Sequence, residues 1–489
     1  MPRIRLPPAV RKLGRVVLLI VLGYPHLLIL LPLSSWLTVH AFRGWMNLER
    51  PFGWGIANLV RGIGFTVGMF VFAALMLVYL AAVAYVGWKG HGRVYRRGSW
   101  AAVHRPWLHG VISRDCLIER IESLAPTHAL VGPVLRDEPR SCPRKRFFYQ
   151  TVSRADELAL DFDCCVYSPK ATLLPPRETL FRFDSRNRHF EAVPVFSSEQ
   201  TALVGVHPCD LHATRLLDEV FSHDQRDQHY LKRRANLFVV GIDCPGPCAP
   251  DAFCRDMQTC DANRGFDVLL YPFPVDEKAR PPAECRDAKD YGVVFGTDAG
   301  RKWLRASEGA ALREPTFEEE CRFERYLERK DGAFPRRLQK TRAQLPAVLQ
   351  RSYDSLVWKA TAQRCYSCGS CNLVCPTCYC FDIQDETGLS PGCGVRERTW
   401  DGCMLHDFAL VAGGHNFRGK AAQRLRHRIT RKSAWIEQRT GLSGCVGCAR
   451  CVRACTAHIS IVDILNQLAE EVDNVQSAHL PADAQKPGG

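Results

Sequence analysis

Eight cysteines in this chain are spaced to hold iron. Cys365, Cys368, Cys371 and Cys375 follow the pattern C-x2-C-x2-C-x3-C, with Pro376 next, and Cys445, Cys448, Cys451 and Cys455 repeat it near the C-terminus. Two runs of identical spacing are the signature of paired [4Fe–4S] clusters. Thiolates on one tight loop take three corners of a cubane, and the fourth cysteine reaches toward the other cluster. The spacing therefore predicts one cluster on Cys365, Cys368, Cys371 and Cys455 and a second on Cys445, Cys448, Cys451 and Cys375. Gly369 and Gly447 keep side chains off the loops, so that backbone N–H groups can donate to cluster sulfur. The competing reading is a pair of structural zinc sites, but C-x2-C-x2-C is too tight for an ordinary zinc knuckle.

The chain has 489 residues and 23 cysteines. So many thiols beside cluster motifs argue for a reducing, cytoplasmic compartment and against a disulfide scaffold. Two further cysteines stand in informative places. Cys209, in HPCD, follows the apolar run TALVGV, and Cys244 ends the run NLFVVGIDC. The carboxyl ends of neighbouring strands are where α/β sheets build sites. Cys248, Cys254 and Cys260 follow in a loop rich in Pro and Asp. A third iron–sulfur centre is expected from Cys209, Cys244 and Cys254, with Cys248 or Cys260 as fourth ligand; the bland reading is a set of buried thiols. There is no G-x-G-x-x-G after a strand and no phosphate-binding loop, so no nucleotide site is expected. No dedicated acid–base pair is visible.

The elements that must position these thiols fall into regions. Residues 107–345 read as an α/β domain. A helix is expected over 114–124, and apolar runs at 129–134, 201–206, 236–244, 267–273 and 292–296 read as strands. A helix over 211–221, with Asp210 as its N-cap, lies between two of them, and the alternation predicts some parallel sheet. Residues 346–475 read as a bacterial-type two-[4Fe–4S] ferredoxin domain carrying an insertion at 376–444. The insertion holds Cys378, Cys380, Cys393 and Cys403, expected to pack around the first cluster rather than to ligate another. It also holds a basic run, Arg418, Lys420, Arg424, Arg426, Arg428, Arg431 and Lys432. That run suits partner docking or compensation of cluster charge, and equally a solvated helix face. A helix is expected over 458–472, and residues 476–489 form a polar tail.

The first 98 residues differ in kind. Residues 16–42 and 62–88 contain no Asp, Glu, Lys or Arg. Both runs exceed the roughly 20 apolar residues that cross a bilayer, and a two-helix transmembrane hairpin is expected, with spans at about 16–38 and 64–88. Basic residues gather before the first run and after the second, which places both ends in the cytoplasm at the inner membrane. His26 is the one histidine well inside a span, so a bis-histidine haem is not available within the hairpin, and a membrane anchor is the simpler reading. The net charge of +14 raises nucleic acid as a partner, but no Phe, Tyr or Trp lies within the basic run, and none is expected.

At HPCDLHATRLLDEVF, YLKRRANLFVVGIDC and FCRDM, and again at CYSCGSCNLVCPTCYCFD, WDGCML, VAGGHNFR, RLRHRITRK and CVGCARCVRAC, the chain resembles a known family. It is similar to the beta (iron–sulfur) subunit of cytoplasmic sulfhydrogenases and to the related iron–sulfur subunit of anaerobic sulfite reductases. The likeness spans roughly residues 110–470. It implies an electron-relay subunit between a flavin subunit that handles nicotinamide nucleotide and a catalytic subunit for hydrogen or sulfur compounds. The chain departs from the family in its N-terminal hairpin. It also carries Ala252 and Cys254 where the family tends to have a C-x-C pair, which bears on the third centre. The expected function is thus a membrane-anchored iron–sulfur electron-transfer subunit of a multi-subunit oxidoreductase. The alternative is that the chain is itself a sulfur-compound reductase, with an open cluster near Cys209 and Cys244.

Overall fold

The computed structural model describes residues 107–136, 146–186, 190–273, 288–305, 312–388 and 392–478. The chain divides into two compact units, residues 1–103 and 104–489, and every described residue lies in the second. The expected transmembrane hairpin lies outside the described residues. Among those described, no helix is long and apolar enough to cross a membrane.

The chain order is β1 (Gly110–Ser113), α1 (Arg114–Glu122), β2 (Ala129–Arg136), β3 (Arg146–Val152), β4 (Arg177–Asp184), β5 (Glu191–Pro194), β6 (Thr201–Val206), α2 (Pro208–Ser222), α3 (Gln228–Ala235), β7 (Leu237–Ile242), β8 (Val268–Phe273), β9 (Asp290–Phe295), α4 (Asp298–Arg305), β10 (Leu312–Arg313) and α5 (Phe317–Gly332). There follow α6 (Leu345–Arg351), α7 (Val357–Ala362), β11 (Phe381–Thr387), β12 (Cys393–Trp400), α8 (Ala421–Thr430) and α9 (Ile461–Ala478). An eight-stranded sheet runs β10-β1-β9-β8-β7-β6-β2-β3. Its centre, β2-β6-β7-β8, is parallel, as the strand–helix alternation requires; β9, β1, β10 and β3 pair antiparallel at the flanks.

Both faces of this sheet are covered, and that is why its strands read as unbroken apolar runs. Ala202, Val204, Val240, Ile242, Val268 and Leu270 point to one side, onto Leu117 and Ile121 of α1 and Trp303 of α4. Leu203, Val239, Leu269 and Tyr271 alternate with them onto Leu211 of α2 and Phe323 and Tyr326 of α5. Asp210, expected to cap α2, is instead in its first turn. His207 is the N-cap and Pro208 takes the first helical position, where its missing N–H costs nothing.

The region after α5 has its own core. Leu465, Leu468 and Val472 of α9 pack with Leu345 and Leu349 of α6, Trp358 of α7, and Leu425 and Ile429 of α8. A second, antiparallel sheet runs β11-β12-β4-β5. Strands from either side of the expected boundary at residue 345 meet in it, through the β12–β4 ladder from Cys393↔Asp184 to Thr399↔Arg177.

Candidate iron–sulfur site

The two cysteine loops share one backbone conformation. In the first, Ser367 (φ 54°) and Gly369 (φ 76°) are left-handed; in the second, Gly447 (φ 67°) and Ala449 (φ 57°) hold the same two positions. Alternation of right- and left-handed residues turns successive N–H groups inward and makes an anion-binding nest, the kind of cradle found at iron–sulfur sites. Ser367 and Ala449 accept a left-handed conformation that costs a residue with a Cβ roughly 1–2 kcal/mol. Gly447 has no such choice: a Cβ there would meet Cys254 N at 2.5 Å. Each loop runs into a single helical turn, Ser370–Leu373 or Arg450–Arg453, and the two turns pack against each other. The fourth cysteines close alike, Cys375 N donating to Asn372 O and Cys455 N to Val452 O, both at 3.2 Å.

This packing brings Cys375 to the opposite loop. Its Sγ lies 3.3 Å from Thr377 Oγ1, which donates to Gly444 O at 2.7 Å, immediately before Cys445. The thiols of Cys445 and Cys448 are close enough to feel Cys375 electrostatically. Cys371 stands beside Cys365 and Cys451. Cys455 Sγ accepts from Ile459 N at 3.5 Å. Cys368 is exposed, whereas Cys375 and Cys448 are buried. Burial pushes Cys371 up to about 11, against the pull of Arg428, and Cys445 up to about 12. Such thiols ionise when a metal takes the proton's place. Among the described residues no three His, Cys, Asp or Glu side chains surround a single ion. A cubane separates its ligands by its own width, and the paired nests, with their thiol donors spread around them, fit such a cluster.

The second loop is clamped to the α/β region. Arg450, between Cys448 and Cys451, donates Nη1 and Nη2 to the two carboxylate oxygens of Asp210, each at 2.7 Å, and Nε to Cys165 O at 3.1 Å. Both side chains of the ion pair are 1% exposed. Asp210 follows Cys209, so the pair locks the carboxyl edge of the sheet onto a cluster loop. Nothing in the spacing of the two motifs signals this contact.

The cysteines of the expected third centre also converge. Cys209 and Cys254 share a packed group with Cys448, and Cys260 lies against it. Cys244 is near Cys254, and Cys248 is in hydrogen-bonding contact with Cys164. Sequence reasoning misses Cys164, because FDCCVYS has no ligand spacing to mark it. The Cys248 contact lowers the Cys164 thiol to about 7 in spite of burial. Lys330, at the end of α5, donates to both Asp243 oxygens at 2.7 and 2.8 Å and to Cys260 O at 2.6 Å, fixing the segments on both sides of this thiol group. A shallow, solvent-open cleft ends at the same place, between Phe162, His207, Cys244 and Cys248. His207 stacks on Phe162 with centroids 4.3 Å apart, its Nδ1 is buried without a partner, and burial drives the imidazole down to about 3.

In the insertion, Cys378, Cys380 and Cys403 line a narrow crevice with Arg428, Arg431 and Lys432, while Cys393 starts β12. Asn372 Nδ2 lies 3.5 Å from the sulfurs of both Cys378 and Cys403. The basic run divides. Arg424, Arg428 and Lys432 are buried; Arg426 stacks on Tyr353 at 3.7 Å, and Arg431 on Tyr379 at 4.9 Å.

Residues 364–459 match the 4Fe-4S dicluster domain family. Over 283 residues the chain is 33% identical to the sulfhydrogenase 2 subunit beta of Pyrococcus furiosus, an alignment that covers 57% of this chain and 77% of that protein. With the dicluster domain placed on the duplicated loops and the likeness reaching well beyond them, the chain belongs to the sulfhydrogenase beta-subunit family.

Proposed function

We propose that the chain is the iron–sulfur electron-transfer subunit of a multi-subunit oxidoreductase of the hydrogenase or sulfur-compound reductase type. It relays electrons between a flavin subunit or a membrane partner and a catalytic subunit. One cluster is held by Cys365, Cys368, Cys371 and Cys455 and the other by Cys445, Cys448, Cys451 and Cys375. The observation that carries this reading is the pair of interlocked loops with matching left-handed positions, Ser367 and Gly369 against Gly447 and Ala449. Bound clusters supply one-electron chemistry; the chain supplies two nests, the eight thiolates and exclusion of water from the second loop. Exposed Cys368, beside Tyr366 at 77% exposure, marks the first loop as the side where a partner exchanges electrons. The uncharged runs at 16–42 and 62–88 support anchoring at the inner membrane, with this unit in the cytoplasm. Iron and sulfide analysis of the anaerobically purified full chain, with EPR of the reduced protein, tests the reading. About eight irons are expected from the two clusters, and about twelve if Cys209, Cys244, Cys254 and Cys248 or Cys260 hold a third. Zinc in their place refutes it.

A second reading follows from the cleft. Cys244, Cys248 and His207 line a solvent-open space at the carboxyl ends of β6 and β7, where α/β sheets bind small molecules. In that reading the chain reduces a sulfur compound itself, at a centre on those thiols. Turnover of such a compound by the isolated chain with an artificial electron donor favours it over the relay.

A further inference from the structure

Arg424, Arg428 and Lys432 are spaced four residues apart and form one row along α8 and the wider π-helical turn Arg431–Trp435 that continues it. They are 5%, 5% and 3% exposed. Among the described residues none of the three has a carboxylate partner. Arg424 Nη2 donates to Ser367 Oγ at 2.8 Å, inside the first cysteine loop, and its other nitrogens donate to Met404 O, Arg418 O and Gly419 O. Arg428 Nη2 donates to Cys371 O at 3.1 Å, and its Nε is buried with no partner. Lys432 Nζ donates to Thr377 Oγ1 at 2.7 Å and Gly444 O at 3.1 Å, the two groups that join Cys375 to the second loop. Three cations are therefore buried in a row that starts at the first loop, passes between the two and ends at the second.

Burying an unpaired cation is strongly unfavourable, and neutral carbonyls repay only part of that cost. The anions that face this row are the thiolate-bound clusters proposed above, on which the inference rests. A cluster gains a negative charge when it is reduced, so a fixed cation in a dry setting stabilises the reduced form more than the oxidised one. We infer that the row Arg424–Arg428–Lys432 sets the reduction potentials of the two clusters, with Arg424 acting on the first, Lys432 on the second, and Arg428 on both. These are positioning and tuning residues; none of them ligates iron. The assignment also accounts for the division of the basic run, since Arg426 and Arg431, off the row, stack on tyrosines.

An EPR-monitored redox titration of the full chain, purified anaerobically, tests this. Lys432→Met is the cleanest variant, because the Thr377–Gly444 hydrogen bond remains after the ammonium is lost. The reduction equilibrium of the second cluster should fall at least tenfold, a shift of about 59 mV to more negative potential for one electron, while the first stays put. Arg424→Met should give the converse pattern, and Arg428→Met should lower both potentials. Lys432→Arg and Arg428→Lys, which keep the charge, should restore most of each shift. Unchanged potentials in the neutral variants at full iron content overturn the inference. So does an equal shift, or an equal loss of iron, in the charge-conserving and neutral variants, because the role would then be structural. Failure of the cluster reading itself looks different: the unmodified chain would lack iron or give no reduced-state signals.

Discussion

Breaking the Arg450–Asp210 pair should loosen the second cluster loop from the α/β region. With both partners 1% exposed and two hydrogen bonds of 2.7 Å, Asp210→Ala leaves a guanidinium buried with only its bond to Cys165 O. Removing one member of a buried, doubly bonded ion pair costs roughly 3–5 kcal/mol. Unfolding entropy near 2.1 cal/mol/K per residue, over a unit the size of residues 104–489, makes about 4 kcal/mol equivalent to a fall of about 5 °C in the melting midpoint. Arg450→Met should cost a similar amount by orphaning the carboxylate. The double variant Asp210→Ala with Arg450→Met should cost less than the sum of the two, because no charge is left unpaired. Anaerobic thermal melts followed by cluster absorbance, completed as a double-mutant cycle, measure the coupling. Single variants that each melt within a degree of the unmodified protein, with no coupling between them, would refute the claim that this pair joins the two regions.

The crossed ligand sets proposed above predict that Cys375→Ser alters the EPR signal that Cys445→Ser alters and spares the one that Cys365→Ser alters; the opposite pattern excludes the crossing. At the left-handed positions, Gly447→Ala should lower stability by more than about 1 kcal/mol, since its Cβ strikes Cys254 N at 2.5 Å, whereas Ala449→Gly, which gives up no side-chain hydrogen bond, should be neutral or stabilising by up to about 1 kcal/mol. Chemical denaturation of both variants checks the contrast. His427 gives a pH dependence: burial, then Arg418 and Arg431, lower its imidazole to about 4 from an ordinary 6.5. The unfolded chain binds that proton more readily between those values, so stability should fall as pH drops from about 6.5 toward 4. The loss is about 1 kcal/mol after discounting for the partly exposed ring, and His427→Gln should flatten the slope as read by melts between pH 5.5 and 7.5.

The parts of the molecule legible in the sequence are those written in local spacing. The two nests follow from cysteines three residues apart, and β2, β6, β7, β8 and β9 from apolar runs that a doubly covered sheet demands. The third thiol group is visible in part, because Cys209 and Cys244 end strands, yet Cys164 joins it only through the fold. Asp210 reads as a helix cap because a cap and a buried ion-pair partner use the same side chain. What separates them is Arg450, 240 residues later, and no local pattern reports such a contact. The basic run carries its answer in a spacing of four, Arg424, Arg428 and Lys432, but a periodicity cannot say what lies opposite it. The pairing of β4 with β12 has no local signal either.

That last pairing sets an order on biogenesis. β4 is synthesised more than two hundred residues before β12, its partner in the ladder from Asp184 to Arg177. Until β12 emerges from the ribosome, β4 and β5 form a two-strand ribbon with both edges open, too small to be stable alone and able to pair with a neighbouring nascent chain. Closing so long a loop is slow and entropically costly, so the nascent chain must wait on the insertion. The insertion lies between the two cysteine runs, and Cys455 is made later still. Of the two cysteine loops, iron delivered before residue 445 is made would meet only the first, without the crossed ligand Cys455 proposed above and without helix α9. Cluster loading should therefore be a late, post-translational event in this protein, with slow synthesis or iron excess during translation favouring aggregation through the exposed β4 edge.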